Sequence, residues 1–256
     1  MRGMWIINLG RRVLNGEISL PEASRFILAR INSNPVDISL NGVLFPQADH
    51  NLWSIIADII INQEYFPPGF EIGLNDIVVD IGAHKGVFSA YAQMKTNNRV
   101  LGFEPLPDNY AYFCQLVEAQ GWKNVEPLNL AISDSEGEAK LFTGQSTSRN
   151  SLLGKDIVSS TPLSQTIIVH TTTLDKVLQE LPQVDFLKMD CEGAEFRILQ
   201  NCSEDTFRKI KKISMEFHAE QGSLKLLELI ELLKRHYSNV EIRYLPGVPL
   251  GYIYAN

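Results

Sequence analysis

From residue 77 onward, short apolar runs alternate with longer stretches in which apolar residues recur at helical spacing. The short runs predict strands at residues 77–81, 100–104, 125–132, 184–190 and 213–217. The longer stretches predict helices at residues 87–94, 108–119, 194–200 and 224–237. Strands that alternate with helices form crossover units and a mainly parallel sheet. The pattern therefore predicts an α/β fold with a doubly wound sheet.

Two segments depart from this alternation. The C-terminal stretch VEIRYLPGVPLGYIY contains two strand-like runs joined by Pro-Gly-Val-Pro, which predicts an antiparallel pair that closes the sheet. Residues 133–172 are rich in Ser, Thr, Gly and Asn, with short strand-like pieces at 139–143 and 166–170. An insertion of this length in a compact domain is usually functional or mobile.

The first 50 residues predict a small extension to the sheet. The stretch PEASRFILARI at 21–31 predicts a short helix, and DISLNGVLFP at 37–46 alternates around Asn-Gly, a strong hairpin signal. Residues 51–63 return to helical spacing, and FPPGF at 66–70 interrupts the pattern. We place the boundary between residues 46 and 70, and divide the chain into an extension of residues 1–50 and a domain of residues 51–256.

Composition limits the partners that this chain can have. Of its 256 residues, 45% are hydrophobic, and the net charge is −7. An acidic balance argues against a nucleic-acid partner, which usually requires a basic face. No segment approaches the roughly 20 apolar residues that span a bilayer, and the first residues lack the core of a signal peptide. The three cysteines form no CxxC pair, which favours reduced thiols. We expect a cytoplasmic protein with no nucleic-acid or membrane partner, and the oligomeric state is left open.

The stretch VVDIGAHKGVFSA places a glycine-rich loop directly after the first strand of the predicted sheet. Gly82 and Gly86 allow close backbone approach to a ligand, at the edge where doubly wound sheets bind ligands. His84 replaces the middle glycine of the dinucleotide fingerprint, and Asp80 would repel a pyrophosphate. Glu104 ends the second strand and can accept hydrogen bonds from both ribose hydroxyls. Together these motifs favour a nucleoside with a cationic or amino-acid tail, such as S-adenosylmethionine, over a simple turn and a solvated strand end.

The stretch DFLKMDCEGAEF concentrates charged residues at the end of the fourth strand. Lys188 would be costly in a buried strand unless it is paired, and we expect Asp190 to be its partner. Asp190 and Glu192 indicate a ligand, because a parallel strand seldom ends in two carboxylates without one. Helix capping is the alternative for Asp190 and the favoured interpretation for Glu195. In the next strand, ISMEFH, the residue His218 is a candidate general base, with a structural role equally open.

These stretches, taken in order, resemble the FkbM-type family of S-adenosylmethionine-dependent methyltransferases. The matching segments run from about residue 76 to residue 218: VVDIGAHKGVFS, VLGFEPLPDNY, NVEPLNLAISDSEGEAKLF, TTLDKVL, DFLKMDCEGAEFRIL and ISMEFH. The combination of FEPxP with KxDxEGxE carries most of the specificity. One departure is His84, where the family often has asparagine. The first 50 residues match less clearly, and a role in shaping an acceptor site is open to them.

The resemblance implies a class I methyltransferase (Rossmann-like) fold and methylation of a hydroxyl oxygen on a small metabolite, such as a natural product or a sugar. Carried over to this sequence, it makes Asp80, Gly82, His84 and Gly86 the loop on the methionine side of the cofactor. It also makes Glu104 the residue that binds the ribose.

The same resemblance places the strand end Ala131-Ile132-Ser133-Asp134 along the adenine. It also turns Asp190 and Glu192 toward the methyl group and a small hydroxylated acceptor. The acceptor proton could pass to His218, Asp190 or Glu192. Alternatively, a divalent metal held by Asp190 and Glu192 could lower the pKa of the hydroxyl. The residues leave this choice open.

Two other functions remain to be weighed. An NAD-dependent oxidoreductase is disfavoured by the missing middle glycine of the fingerprint. A non-catalytic nucleoside-binding or interaction module is disfavoured by the presence of Asp190, Glu192 and His218 together.

Overall fold

The structure is a computed structural model that describes residues 4–31, 34–143, 150–151 and 165–256. Its helices are α1 (Met4–Leu14), α2 (Leu20–Ile31), α3 (His50–Ile56), α4 (Val87–Gln93), α5 (Pro107–Gln120), α6 (Leu174–Gln179), α7 (Glu195–Gln200), α8 (Glu204–Lys209) and α9 (Leu224–His236), and a π-helical turn over Ala57–Ile61 continues α3. Its strands are β1 (Val36–Leu40), β2 (Val43–Ala48), β3 (Val78–Ile81), β4 (Val100–Phe103), β5 (Val125–Leu128), β6 (Ala131–Ser133), β7 (Gly137–Thr143), β8 (Asn150–Ser151), β9 (Gln165–Thr173), β10 (Phe186–Met189), β11 (Ile213–His218), β12 (Val240–Tyr244) and β13 (Leu250–Ala255).

A seven-stranded sheet in the order β12-β13-β11-β10-β3-β4-β5 forms the centre of the fold. Strands β11, β10, β3, β4 and β5 are parallel, whereas β13 pairs antiparallel with both β11 and β12. The predicted parallel sheet with an antiparallel C-terminal pair is thus confirmed. The strand order reverses between β3 and β10, so the topological switch point lies at their carboxyl ends.

Helices cover both faces of this sheet. Val78 of β3 belongs to one hydrophobic cluster, whereas its neighbours Val79 and Ile81 belong to another. This division follows from the two-residue period of a strand, which sends successive side chains to opposite faces. The cluster of Val78 extends to α4, α5 and the N-terminal helices, and the cluster of Val79 extends to α6, α7, α8 and α9.

The N-terminal extension packs into the first of these clusters. Strands β1 and β2 form the predicted hairpin. The ring of Trp53 stacks on Phe26 with centroids 4.6 Å apart, and its indole N–H donates to the Phe26 carbonyl at 2.9 Å. No helix is predicted before residue 21, yet α1 is helical, and its buried Leu9 lies in the same cluster as Val78. The extension therefore shares its core with the sheet, and the division at residue 50 stays a prediction.

The prediction of one strand at 125–132 is wrong. Strand β5 ends at Leu128, and β6 begins at Ala131 in a separate four-stranded sheet of order β6-β9-β7-β8. Asn129 holds the turn between the two sheets, because its side-chain N–H donates to the carbonyls of Glu104 at 2.9 Å and Pro105 at 3.1 Å. The stretch VEPLNLAI therefore spans the change from one sheet to the other.

The strand-like pieces predicted at 139–143 and 166–170 lie in β7 and β9, which pair antiparallel along seven residues. Of the predicted insertion at 133–172, residues 144–149 and 152–164 lie outside the described residues. Among the helices that the structure does describe, none has the length and apolar character needed to cross a membrane.

Candidate active site

A cavity of about 290 Å³ lies at the carboxyl ends of β3, β4, β10 and β11. This is the edge that contains the topological switch point, where ligands bind in sheets of this kind. Its wall also includes residues from β6, β7 and the π-helical turn, so the segment between residue 50 and β3 contributes to it.

The glycine loop after β3 forms one wall of this cavity. Gly82 and Gly86 have φ angles of +74° and +80°, which favour glycine. A Cβ atom on Gly82 would lie 1.8 Å from the carbonyl oxygen of Asp190, and one on Gly86 would lie 2.2 Å from the ring of Phe113. Gly82 lines the cavity, whereas Gly86 allows the loop to pack closely against Phe113 of α5.

A buried ion pair between β10 and β3 supports the glycine loop. Lys188 and Asp80 are register partners on β10 and β3, with Lys188 Nζ 3.1 Å from Asp80 Oδ1. Lys188 also donates to the carbonyl of Gly82 at 2.7 Å, and Ser89 donates to Asp80 Oδ2 at 2.7 Å. Burial lowers the pKa of the Lys188 ammonium, but the charge of Asp80 raises it above its ordinary value.

The expectation that Asp190 is the ion-pair partner of Lys188 is therefore wrong. In a parallel sheet, the register partner on the neighbouring strand lies closer than the second residue along the same strand. Asp190 adds to the negative charge around Lys188 without forming the direct pair. Asp80 is fully buried and does not line the cavity, so it acts on the site through Lys188 and the loop.

Glu104 directly follows β4 and faces the cavity. Its Oε2 accepts the backbone N–H of His84 at 2.8 Å, and its Oε1 accepts that of Leu106 at 2.9 Å. Burial raises the pKa of the Glu104 carboxyl to about 7, although both N–H donors lower it. The carboxyl group is thus fixed in place with lone pairs available to hydroxyl donors in the cavity.

His84 lines the cavity beside Glu104, with its backbone at φ +52°. Neither of its ring nitrogens has a hydrogen-bond partner. Burial and the charges of Lys85 and Lys188 lower the pKa of this imidazole to about 3, so the ring is neutral. It offers one donor and one acceptor at the methionine side of the candidate cofactor site.

An apolar wall formed by Ala131 and Ile132 of β6 lies near Glu104 in the same cavity. Ser133 and Asp134 follow directly but do not line the cavity. Instead, Ser133 Oγ donates to Asp134 at 3.1 Å, and Asp134 forms an ion pair with Arg197. The structure therefore places Ser133 and Asp134 beside the candidate adenine wall rather than on it.

Four carboxylates, those of Asp58, Asp190, Glu192 and Glu216, also line the cavity. Tyr65 connects two of them, because its hydroxyl donates to Asp190 Oδ2 at 3.0 Å and lies 3.4 Å from Glu216 Oε2. Burial raises the pKa of Glu216 to about 8, and the charge of Asp190 adds to the effect. We refer to these four carboxylates with Tyr65 as the acidic end of the cavity.

His218 lies behind this acidic end and not on the cavity wall. It is 4% exposed, with Nε2 3.3 Å from Glu192 and 3.7 Å from Glu216, and Nδ1 3.6 Å from Glu195. Burial lowers the pKa of His218, but the hydrogen bonds and charges of Glu192 and Glu195 raise it well above its ordinary value. An imidazolium cannot accept a proton, which disfavours His218 as the general base. Its position suits it to hold the two cavity carboxylates in place.

Glu195 has a structural role, but it is not the helix cap expected from the sequence, because the N-cap of α7 is Ala194 and has no side-chain cap bond. Its Oε1 accepts the backbone N–H groups of Cys191 at 2.6 Å and Gly193 at 3.2 Å, which closes the loop after β10. Within that loop, Glu192 adopts φ +52°, a left-handed conformation that turns the chain at the cavity.

Asp190, Glu192 and His218 together could also hold a divalent cation, since one ligand atom from each lies within 4.8 Å of the others. Carboxylate and imidazole ligands suit several divalent metals. These three residues are the ones that would hold such a cation.

Three residues of the acidic end, Asp58, Tyr65 and Glu216, are absent from the site residues predicted from the sequence. Glu216 shares a strand face with His218, and this two-residue spacing could have identified it. Asp58 appears in the sequence only as a single acid inside an apolar helical run, which gives no indication of a cavity.

The fold and the position of the cavity define a class I methyltransferase architecture. A protein-family model described as the methyltransferase FkbM domain matches residues 80–240. The chain belongs to this family, and it is a methyltransferase.

The chain is also similar to individual proteins. The AMB antimetabolite synthetase AmbE of Pseudomonas aeruginosa is 25% identical over 231 residues, and the match covers 74% of this chain but 11% of AmbE. The 31-O-demethyl-FK506 methyltransferase FkbM of Streptomyces tacrolimicus is 23% identical over 211 residues, which covers 71% of this chain and 80% of that protein.

The crystal structure of the methyltransferase FkbM from Methylobacillus flagellatus KT is similar in fold, with a TM-score of 0.51 at 14% sequence identity. The similarity covers 81% of this chain and 54% of that chain.

Proposed function

We propose that this protein is an S-adenosylmethionine-dependent O-methyltransferase that acts on a hydroxyl group of a small metabolite, such as a natural product or a sugar. One observation carries the proposal. A single cavity contains both the fixed carboxyl group of Glu104 and the acidic end around Asp190. A nucleoside and an acceptor can therefore lie in one enclosed space, as methyl transfer requires.

The residues present fit S-adenosylmethionine. Glu104 is positioned to accept hydrogen bonds from ribose hydroxyls, and the apolar wall of Ala131 and Ile132 can contact the adenine. Gly82 lets the glycine loop approach the Asp190 carbonyl closely at the cavity wall, and His84 in the same loop has two unpartnered ring nitrogens. These groups suit the amino and carboxylate ends of a methionine tail.

The bound cofactor would supply an electrophilic methyl group, and the protein must align and deprotonate the acceptor hydroxyl. Asp190 and Glu192 both face the cavity at the strand end where the acceptor would lie. Either carboxylate can hold the hydroxyl by a hydrogen bond and take its proton during transfer. The His218 imidazolium keeps Glu192 oriented through its contact at 3.3 Å. A divalent cation held by Asp190 and Glu192 is the second route to the same deprotonation.

Calorimetry with S-adenosylmethionine tests the cofactor assignment. We expect the wild-type protein and an exposed control, Glu118→Ala, to bind with about micromolar affinity. We expect Glu104→Ala to lose binding, because the proposed ribose hydroxyls would lose their acceptor. Absence of binding to the wild type, or full binding to Glu104→Ala, would contradict the assignment. Tight NADH binding in the same assay would revive the oxidoreductase alternative.

Because the chain belongs to a methyltransferase family, the two alternative functions, an NAD-dependent oxidoreductase and a non-catalytic module, are disfavoured. A cytoplasmic location, and the expectation that neither nucleic acid nor membrane is a partner, stay predictions based on the composition and the net charge of −7.

A further inference from the structure

Two members of the acidic end, Asp58 and Tyr65, come from the segment before the central sheet. Asp58 lies in the π-helical turn Ala57–Ile61, which follows α3 in the segment before β3. The turn is defined by the hydrogen bond from the Asn62 N–H to the Ala57 carbonyl at 2.8 Å, which spans five residues instead of four. Single π-turns of this kind occur frequently at functional sites.

This turn separates Asp58 from its apolar neighbours. Ala57, Ile60 and Ile61 are buried in the core, whereas Asp58 is accessible and lines the cavity together with Ile55 and Ile59. The carboxylate therefore reaches the cavity from the π-helical turn, whereas Asp190 follows β10 and Glu216 lies in β11.

The contacts of Asp58 leave it available to a ligand. Asn62 donates to its Oδ1 at 3.2 Å, and no lysine or arginine of the described residues forms an ion pair with it. Burial, and then the charges of Glu216 and Asp58, raise the pKa of the Tyr252 phenol, which also lines the cavity. The Asp58 carboxylate thus faces the cavity beside a phenol and two isoleucines.

We propose that Asp58 selects the methyl acceptor by binding a second hydrogen-bond donor, a hydroxyl or an ammonium group next to the hydroxyl that is methylated. This inference rests on the proposed function. Asp190 and Glu192 line the same space, so the charge of Asp58 adds to an acidic lining that repels an anionic acceptor. The acceptor class is therefore a neutral or cationic molecule with at least two adjacent donors, and its apolar part packs against Ile55 and Ile59.

The test uses four probes that differ by one group: cyclohexanol, 1,2-cyclohexanediol, 2-aminocyclohexanol and 2-hydroxycyclohexanecarboxylate. Each is titrated into full-length protein saturated with S-adenosylhomocysteine and labelled at isoleucine methyl groups. The methyl signals of Ile55 and Ile59 report the acceptor side, and those of Ile81 and Ile132 report the cofactor side. The variants are Asp58→Asn, which keeps the shape of the side chain, and Asp108→Asn, an exposed control at the start of α5.

In the wild type and in Asp108→Asn, we expect the amino alcohol to bind most tightly, then the diol, then cyclohexanol, with the carboxylate weakest. In Asp58→Asn we expect the amino alcohol to lose about tenfold in affinity while cyclohexanol is unchanged. An unchanged order in Asp58→Asn would overturn the inference, as would a lack of response from Ile55 and Ile59 to every probe. If the methyl signals of Ile81 and Ile132 do not shift when S-adenosylhomocysteine is added, the proposed function itself is contradicted, whatever the result for Asp58.

Discussion

The variant Gly82→Ala tests the close approach between the glycine loop and the backbone of Asp190. The new methyl group would lie 1.8 Å from the carbonyl oxygen of Asp190 and 2.9 Å from its carbonyl carbon. That carbonyl cannot retreat freely, because the Asp190 N–H donates to the Ile81 carbonyl at 3.0 Å. Both segments line the cavity, so any shift that relieves the clash also changes the site.

Two costs combine in this variant. Residue 82 has φ +74°, and an alanine in this left-handed conformation costs about 1–2 kcal/mol. Overpacking against a fixed backbone costs a further ~1–3 kcal/mol. We therefore expect the free energy of unfolding to fall by about 2–5 kcal/mol.

Gly121→Ala separates the two costs. Gly121 has φ +68°, but no heavy atom lies within 4 Å of the position of its Cβ. Urea unfolding followed by far-ultraviolet circular dichroism should show only the conformational loss of about 1–2 kcal/mol in Gly121→Ala. Calorimetry should show normal S-adenosylmethionine binding in Gly121→Ala and weakened binding in Gly82→Ala. Equal losses of stability in the two variants would refute the reasoning, because the clash with Asp190 would then contribute nothing.

Three further predictions concern the charged groups. Asp190→Asn should abolish transfer of a labelled methyl group while calorimetry shows cofactor binding within about threefold of the wild type, and normal turnover would remove Asp190 from the mechanism. Lys188→Met should cost about 3–5 kcal/mol in urea unfolding, because it leaves the buried Asp80 unpaired, whereas breaking the exposed Arg99–Glu126 pair with Arg99→Ala should cost less than about 1 kcal/mol. The folded-state pKa of Glu104 is raised to about 7, so the folded protein holds this proton more tightly than the unfolded chain, and stability should fall as pH rises from 5 to 8. Unfolding curves at the two pH values should show a loss on the order of 2 kcal/mol relative to Glu104→Gln, and parallel behaviour of the two proteins would contradict the shift.

The sheet could be predicted from the sequence because buried parallel strands appear as short apolar runs between amphipathic helices. The predicted runs at 77–81, 100–104, 184–190 and 213–217 each coincide with an observed strand to within about three residues. Parallel strands end at one edge, so Glu104 and Asp190 could be expected to meet there before any contact was known.

Other features depend on contacts between distant segments, which local patterns do not contain. The partner of Lys188 is set by the register of β10 on β3, and register is not visible in either strand alone. His218 looks like a base in the sequence, but its charge state follows from Glu192 and Glu195, which come from the loop and helix after another strand. The role of Asp58 depends on a π-turn, whose hydrogen-bond pattern no residue type signals.

The two ends of the cavity differ in the part of the chain that builds them. Glu104, the glycine loop and Asp190 all follow strands of the central sheet, so the topology fixes their relative positions. Asp58 and Tyr65 precede β3 and reach the cavity only because the N-terminal segment packs on the sheet. A change at Asp58 can therefore alter the acceptor side from a residue that lies outside the sheet. This arrangement allows the proposed cofactor site to stay constant while acceptor selection depends on the packing of residues before the sheet.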